Sequence, residues 1–130
     1  VRVRGTDGGV RIERLRGRTV LVANGGRLPA GITLLREAHM DDGVLDVAVI
    51  DTVGGVAGWS SLARQVLPPF AATYSDPARA LGRVTLRRGT EAIIRLTDSA
   101  PVQVDGELIA PTRGLRARMD AGSLLVRRPD

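Results

Sequence analysis

Apolar and polar residues alternate along much of this chain, and the alternation stops at short segments rich in glycine and aspartate. Val1-Arg2-Val3-Arg4 and Val10 to Leu15 are two such runs. Gly5-Thr6-Asp7-Gly8-Gly9 separates them, which predicts a hairpin with Asp7-Gly8 in its turn. Arg16-Gly17-Arg18 then leads into Thr19-Val20-Leu21-Val22-Ala23, apolar almost throughout. A strand of that kind is covered on both faces, so the pattern places it at the centre of a sheet. A second strand, Leu45-Asp46-Val47-Ala48-Val49-Ile50, follows a glycine-rich segment beginning Asn24-Gly25-Gly26 and an Asp41-Asp42-Gly43 turn.

The period changes between Val53 and Phe70. Val56, Trp59, Leu62, Ala63, Val66 and Leu67 share one side of a helix, with Ser60, Ser61 and Arg64 opposite. Asp51 or Thr52 could cap its start, Pro68-Pro69 should stop it, and packing of the Trp59 side against a sheet is its ordinary use. Ala71 to Ala80 reads as a loop. The last third predicts six short strands: Arg83 to Arg87, Glu91 to Leu96, Val102 to Val104, Glu107 to Ala110, Leu115 to Met119 and Ser123 to Val126. Arg88-Gly89-Thr90, Asp98-Ser99-Ala100-Pro101, Asp105-Gly106, Pro111-Thr112-Arg113-Gly114 and Asp120-Ala121-Gly122 separate them. The expected fold is a mainly β sandwich of many short antiparallel strands with one principal α-helix, a single domain over residues 1–130.

Composition adds limits. A chain of 130 residues can bury roughly two-thirds of its unfolded surface, enough to fold alone. The absence of cysteine excludes a disulfide framework and a thiolate metal site, which fits a reducing cytosol. No apolar run approaches the ~20 residues of a membrane-spanning helix. Val1 already lies inside a strand-like alternation, as expected for a piece of a longer protein.

The net charge is +5, and all 19 basic residues are arginine. Clustered cations are the usual footprint of phosphate binding, yet here they alternate with apolar neighbours at Arg2/Arg4, Arg14/Arg16/Arg18 and Arg116/Arg118. That is the pattern of strands with one wet face. Trp59, Phe70 and Tyr74 are the only aromatic residues, too scattered for base stacking, so nucleic acid is not an expected partner.

Val102-Gln103-Val104-Asp105-Gly106-Glu107-Leu108 carries the strongest candidate chemistry. A tight turn brings Asp105 and Glu107 together at a strand end, where carboxylates can hold Mg²⁺, orient a nucleotide or accept a hydroxyl proton. On local grounds Asp-Gly is first a hairpin signal. His39 is the only histidine and lacks partners for a His-based zinc site. Neither a Walker-type P-loop nor a Ser-His-Asp set appears.

Asn24-Gly25-Gly26-Arg27-Leu28-Pro29, then Leu34-Leu35, then Asp41-Asp42-Gly43-Val44-Leu45-Asp46-Val47 resembles, in order and spacing, the C-terminal half of bacterial diacylglycerol kinase-like lipid kinases. That family includes sphingosine kinases, with NAD kinases as more distant relatives. The resemblance extends over nearly all of the chain; Arg36 departs from it, standing where many members have proline. It implies a full enzyme that transfers the γ-phosphoryl group of ATP to a lipid hydroxyl such as that of diacylglycerol. This chain would be the C-terminal domain, partnered by its own N-terminal nucleotide-binding domain. The family's Gly-Gly-Asp-Gly-Thr motif belongs to that partner and is absent here, so these residues alone should not catalyse.

In the family a matching Asp-Gly-Glu turn reaches into the interdomain cleft near the ATP phosphates. Carried over, Asp105 would organise Mg²⁺ and phosphate or deprotonate the lipid hydroxyl, and Glu107, with Gly106 between them, would contact nucleotide or join the same network. Which carboxylate is the base stays open. The resemblance also implies a structural Mg²⁺ held by the Asp42 carboxylate and the main-chain carbonyls of His39 and Val44, with a capped turn without metal as the alternative. It further implies a cytoplasmic enzyme peripheral to the inner face of the membrane, and leaves room for a homodimer. Two other readings stay open: a NAD kinase-like domain acting on a soluble dinucleotide, and a non-catalytic basic β module that binds nucleic acid.

Overall fold

The structure, a computed structural model, describes residues 1–25, 38–52 and 82–125. These form β1 (Arg2–Arg4), β2 (Val10–Ile12), β3 (Thr19–Ala23), β4 (Leu45–Thr52), β5 (Gly82–Gly89), β6 (Glu91–Val104) and β7 (Glu107–Arg118). They make two antiparallel sheets, ordered β2-β1-β6-β7 and β3-β4-β5. The mainly β expectation holds. The expected helix over 53–70 and the loop after it lie outside the described residues, while its proposed caps, Asp51 and Thr52, are the last residues of β4.

The centre of the smaller sheet is β4 rather than β3. β4 pairs with β3 from Thr19↔Ile50 to Ala23↔Asp46 and with β5 from Leu45↔Gly89 to Thr52↔Gly82. It is buried from Leu45 through Ile50, with Val47 and Ala48 fully enclosed. Each buried valine or isoleucine stabilises the fold by about 1.5–3 kcal/mol, so this strand carries much of the core. β3 is apolar on both faces yet only half-buried, because among the described residues it has a neighbour on one edge alone. Its Leu21 and Ala23 pack against Ala48 and Ile50. An apolar sequence reports what the faces touch and is silent about the edges.

Among the described residues, two sets of hydrogen bonds tie the sheets together. The chain leaves one at Gly89 and enters the other at Glu91, bending at Thr90, whose N–H donates to the Arg4 carbonyl at 2.8 Å and whose carbonyl accepts from the Met119 N–H at 2.9 Å. A Cβ on Gly89 would collide with the Arg4 carbonyl oxygen and lie 2.7 Å from Val3 Cγ1, so the corner admits only glycine. Beyond β2, Glu13 receives Arg87 of β5 in a two-pronged pair, Nε to Oε2 at 2.6 Å and Nη2 to Oε1 at 2.9 Å. This arrangement matches the planar fork of a guanidinium to a carboxylate.

The strands of the last third are fewer and longer than the pattern predicts. Asp98 to Pro101 and Pro111 to Gly114 do not interrupt the ladder; they lie near one another across it and are absorbed as irregularities. β6 advances from Arg95 to Ala100 while β7 moves only from Gly114 to Thr112, and a second shift lies between Ala100 and Val102. Extra residues on one strand bulge out and let pairing resume beyond them. Ser123 to Leu125, expected to begin a strand, form none. Where Arg2/Arg4 and Arg116/Arg118 alternate with apolar residues, the arginines are exposed and the residues between them are buried or half-buried.

Replacing Gly89 by alanine should destabilise the protein by about 3 kcal/mol, since backbone on one side and a core valine on the other must give way. Urea denaturation measures it, and an unchanged midpoint would contradict the close approach at the corner.

Candidate functional site

β1 pairs only with Glu91 to Ile93 of β6. Beyond that point β6 and β7 have each other alone among the described residues, and they run on as a two-stranded arm to the turn between Val104 and Glu107. The arm is anchored at its base. Ala92 and Ile94 are buried there, and the Glu91 carboxylate accepts from Arg116 Nε at 2.6 Å and from Arg4 Nε at 3.3 Å, tying β7 and β1 to β6. Burial pushes the Glu91 carboxyl upward, but the hydrogen bonds from Arg116 and Arg4 outweigh it and hold the group below the ordinary glutamate value.

At the far end Asp105 and Gly106 both have positive φ, 47° and 97°, and connect the Val104↔Glu107 pair. Left-handed backbone at both loop positions is the mark of a two-residue hairpin turn whose twist matches that of its strands, and Asp-Gly is a preferred sequence for it. Gln103 Nε2 donates to the Gly106 carbonyl at 3.0 Å and braces the turn. The local hairpin reading of Asp105-Gly106 is therefore met. It also leaves both carboxylates at a surface: Asp105 and Glu107 are exposed, and neither forms an ion pair with any described residue. Register places Val102, Val104, Glu107 and Ile109 on one face of the arm, with Val104 50% and Ile109 45% exposed. Hydrated carboxylates beside an apolar strip can organise a cation and its phosphate, or take a proton from an approaching hydroxyl.

The Asp42 turn differs. Asp42 and Gly43, the latter at φ 70°, lead into β4, and Asp42 Oδ1 accepts the Val44 N–H at 2.9 Å. Asp42 Oδ2 accepts Arg88 Nη2 at 2.5 Å, and Arg88 Nε reaches Asp46 Oδ1 at 3.0 Å. His39 is exposed, Val44 is buried, and Asp42 is the one carboxylate of the implied set. With both of its oxygens engaged and a guanidinium already on one, the set as arranged does not fit a divalent ion. Among the described residues no group of three or more histidine, aspartate or glutamate side chains is placed to hold a metal. Arg88 was not singled out by the sequence. The pattern sets it in the Arg88-Gly89-Thr90 segment between two strands, whereas it lies within β5, and neither position says anything of its partner 42 positions away.

Between the sheets opens a groove of about 820 Å³ with Val20, Val49, Ile94 and Leu96 on its walls and the exposed Arg16 and Arg95 beside them. It is large enough to take part of an apolar chain.

A family model described as the YegS C-terminal NAD kinase beta sandwich-like domain matches residues 1–126. The chain belongs to this family. The match covers nearly the whole chain and bears out the resemblance to the C-terminal domain of diacylglycerol kinase-like lipid kinases; the two antiparallel sheets agree with its sandwich-like fold. No curated protein and no solved structure matches the chain. A YegS-type domain points to a lipid kinase-like enzyme as the full-length protein.

The acid pairs of this YegS-type domain fix a pH dependence. Glu13, through its hydrogen bonds from Arg87, and Glu91 both titrate below the ordinary glutamate value of 4.5. A carboxylate with a lowered folded-state pKa contributes stability that is fully present above its unfolded pKa and lost as pH falls through the folded one. The gap in melting temperature between the wild type and a Glu13→Gln/Glu91→Gln double variant should therefore be widest near neutral pH and close as the pH drops below about 4.5. A gap of constant width down to strongly acid pH would show that these pairs do not set the stability.

Proposed function

We infer that this chain is the C-terminal domain of an ATP-dependent lipid kinase, forming one wall of the cleft in which the γ-phosphoryl group passes to a lipid hydroxyl such as that of diacylglycerol. The observation that carries this reading is the Asp105-Gly106-Glu107 tip: two exposed carboxylates that form no ion pair with any described residue, held on a turn of defined geometry at the end of an anchored arm. The family match supports the kinase class. Phosphoryl transfer needs little covalent help and depends on positioning and charge, so a wall that contributes carboxylates at a fixed place is a sufficient role for a domain without a phosphate-cradling loop.

ATP supplies the transferred group, and Mg²⁺ neutralises charge on its phosphates. The chain's own residues do the rest. One of Asp105 and Glu107 accepts the proton of the lipid hydroxyl, and the other keeps the metal and phosphate in register with it. Val102, Val104 and Ile109 offer an apolar approach on the face that carries Glu107, and the groove between the sheets has room for acyl chain. The N-terminal domain of the same protein supplies the nucleotide-binding wall. A water-insoluble substrate makes contact with the inner face of the membrane part of this reading, by way of a surface rather than a span; no helix among the described residues is long and apolar enough to cross.

Asp105→Asn in the two-domain enzyme keeps a residue that tolerates positive φ while removing the carboxylate. It should lower kcat by roughly a hundredfold, with the KM for ATP changed much less, and Glu107→Gln assayed beside it identifies which carboxylate takes the proton. If kcat survives both substitutions, the tip has no part in the chemistry. Phosphorylation of NAD in preference to diacylglycerol vesicles would replace the lipid reading by the NAD kinase-like one, whose sandwich the family's description names.

A further inference from the structure

Asp46 stands directly opposite Arg88 across β4 and β5, and its side chain is only 7% exposed. A carboxylate so buried needs a positive partner, which Arg88 supplies through Nε at 3.0 Å. Nε and Nη2 belong to one rigid plane, so holding Asp46 through Nε also fixes where Nη2 points, and it points at Asp42 Oδ2, 2.5 Å away. The other Asp42 oxygen is held by the Val44 N–H. Magnesium demands oxygens at about 2.0–2.1 Å in near-octahedral array, and on Asp42 it would stand against the guanidinium as a like charge. Arg88 cannot withdraw without disturbing the buried Asp46.

The geometry points to Arg88 as the built-in counter-cation of the Asp42 turn: it takes the place of the divalent ion that the family resemblance implies there, so the entry into β4 folds independently of magnesium. This concerns the turn alone and leaves the magnesium that accompanies ATP in the proposed reaction untouched. A single arginine thereby joins the turn, the buried strand and the strand beside it, where an ion would gather only the turn's own oxygens.

Thermal denaturation followed by circular dichroism tests it on the protein in EDTA and in excess MgCl₂. The expected result is one melting temperature in both, because an ion that binds only the folded state would raise it by mass action. A magnesium-dependent rise that Asp42→Asn abolishes would overturn the inference; a rise that Asp42→Asn leaves intact comes from another site and upholds it. Arg88→Gln should melt about 10 °C lower, since it takes a charged partner away from a buried carboxylate and from the Asp42 turn together, and melting at the wild-type temperature would count against the proposed role. If Arg88→Gln does not fold, Arg88→Lys replaces it: a point charge can satisfy one aspartate but not both, so it should fold and melt below the wild type, and an unchanged melting temperature would overturn the proposal.

Discussion

β4 is buried from Leu45 to Ile50, and the single carboxylate on that stretch, Asp46, goes into the interior with it. Taking a charge out of water is expensive, and removing the partner of a buried pair costs about 3–5 kcal/mol, an appreciable share of the stability of a domain this size. The guanidinium of Arg88, 3.0 Å from Asp46 Oδ1, offsets that cost. Because Arg88 lies on β5, the same requirement fixes the register of β4 against β5 at Asp46↔Arg88, and a slip by one residue would place the buried carboxylate opposite Arg87 or Gly89 instead. From there the constraint spreads: Arg88 reaches back to the Asp42 turn, Arg87 faces Glu13 beyond β2, and Gly89 brings the chain against Arg4. Arg87 and Gly89, on either side of Arg88, thus set how the two sheets meet.

The arm of β6 and β7 follows the opposite logic. Its base is buried and clasped by Glu91, whereas its outer half has solvent on both faces and strand neighbours on neither edge among the described residues. Burial stabilises only the first part. The gain is a tip that stands clear of its own domain, with carboxylates left hydrated and backbone geometry fixed by a two-residue turn. Functional groups are commonly displayed on weakly buried segments that a rigid scaffold positions. Here the scaffold is the Glu91 clasp, and the distance from clasp to tip is set by the bulges that let the strands continue past Pro101 and Pro111.

What the sequence revealed was local. Asp7-Gly8 and Asp105-Gly106 turn the chain where the residue types alone require, because each left-handed position is a property of one or two residues. The resemblance carried by Asp41 to Val47 identified the family, since it is a matter of order and spacing. What it could not reveal depended on pairing across long separations. β3 looks central because both its faces are apolar, and only the sheet order shows its open edge. Asp98 to Pro101 looks like a break until Pro111 to Gly114 is found across the ladder. Arg88 is one arginine among 19 until register sets it against Asp46.

The exclusive use of arginine bears on the same point. Five ion pairs join the described residues, and apart from Arg88–Asp42 and Arg88–Asp46 they involve Arg4, Arg87 and Arg116 with Glu13 and Glu91. They are unequal. Arg4–Glu91 spans 3.3 Å with the arginine side chain 46% exposed, and an exposed pair of that kind is screened and contributes little. Arg87–Glu13 is two-pronged and half-buried, which adds direction to attraction. Arg88 does more, because its fork divides between two acids whose separation the fork itself measures. A lysine could neutralise either acid but would not hold them at a defined angle. Among the described residues, which contain no helix, relative placement of the sheets rests on few contacts. The planar, multidentate cation is the side chain that makes so few contacts sufficient.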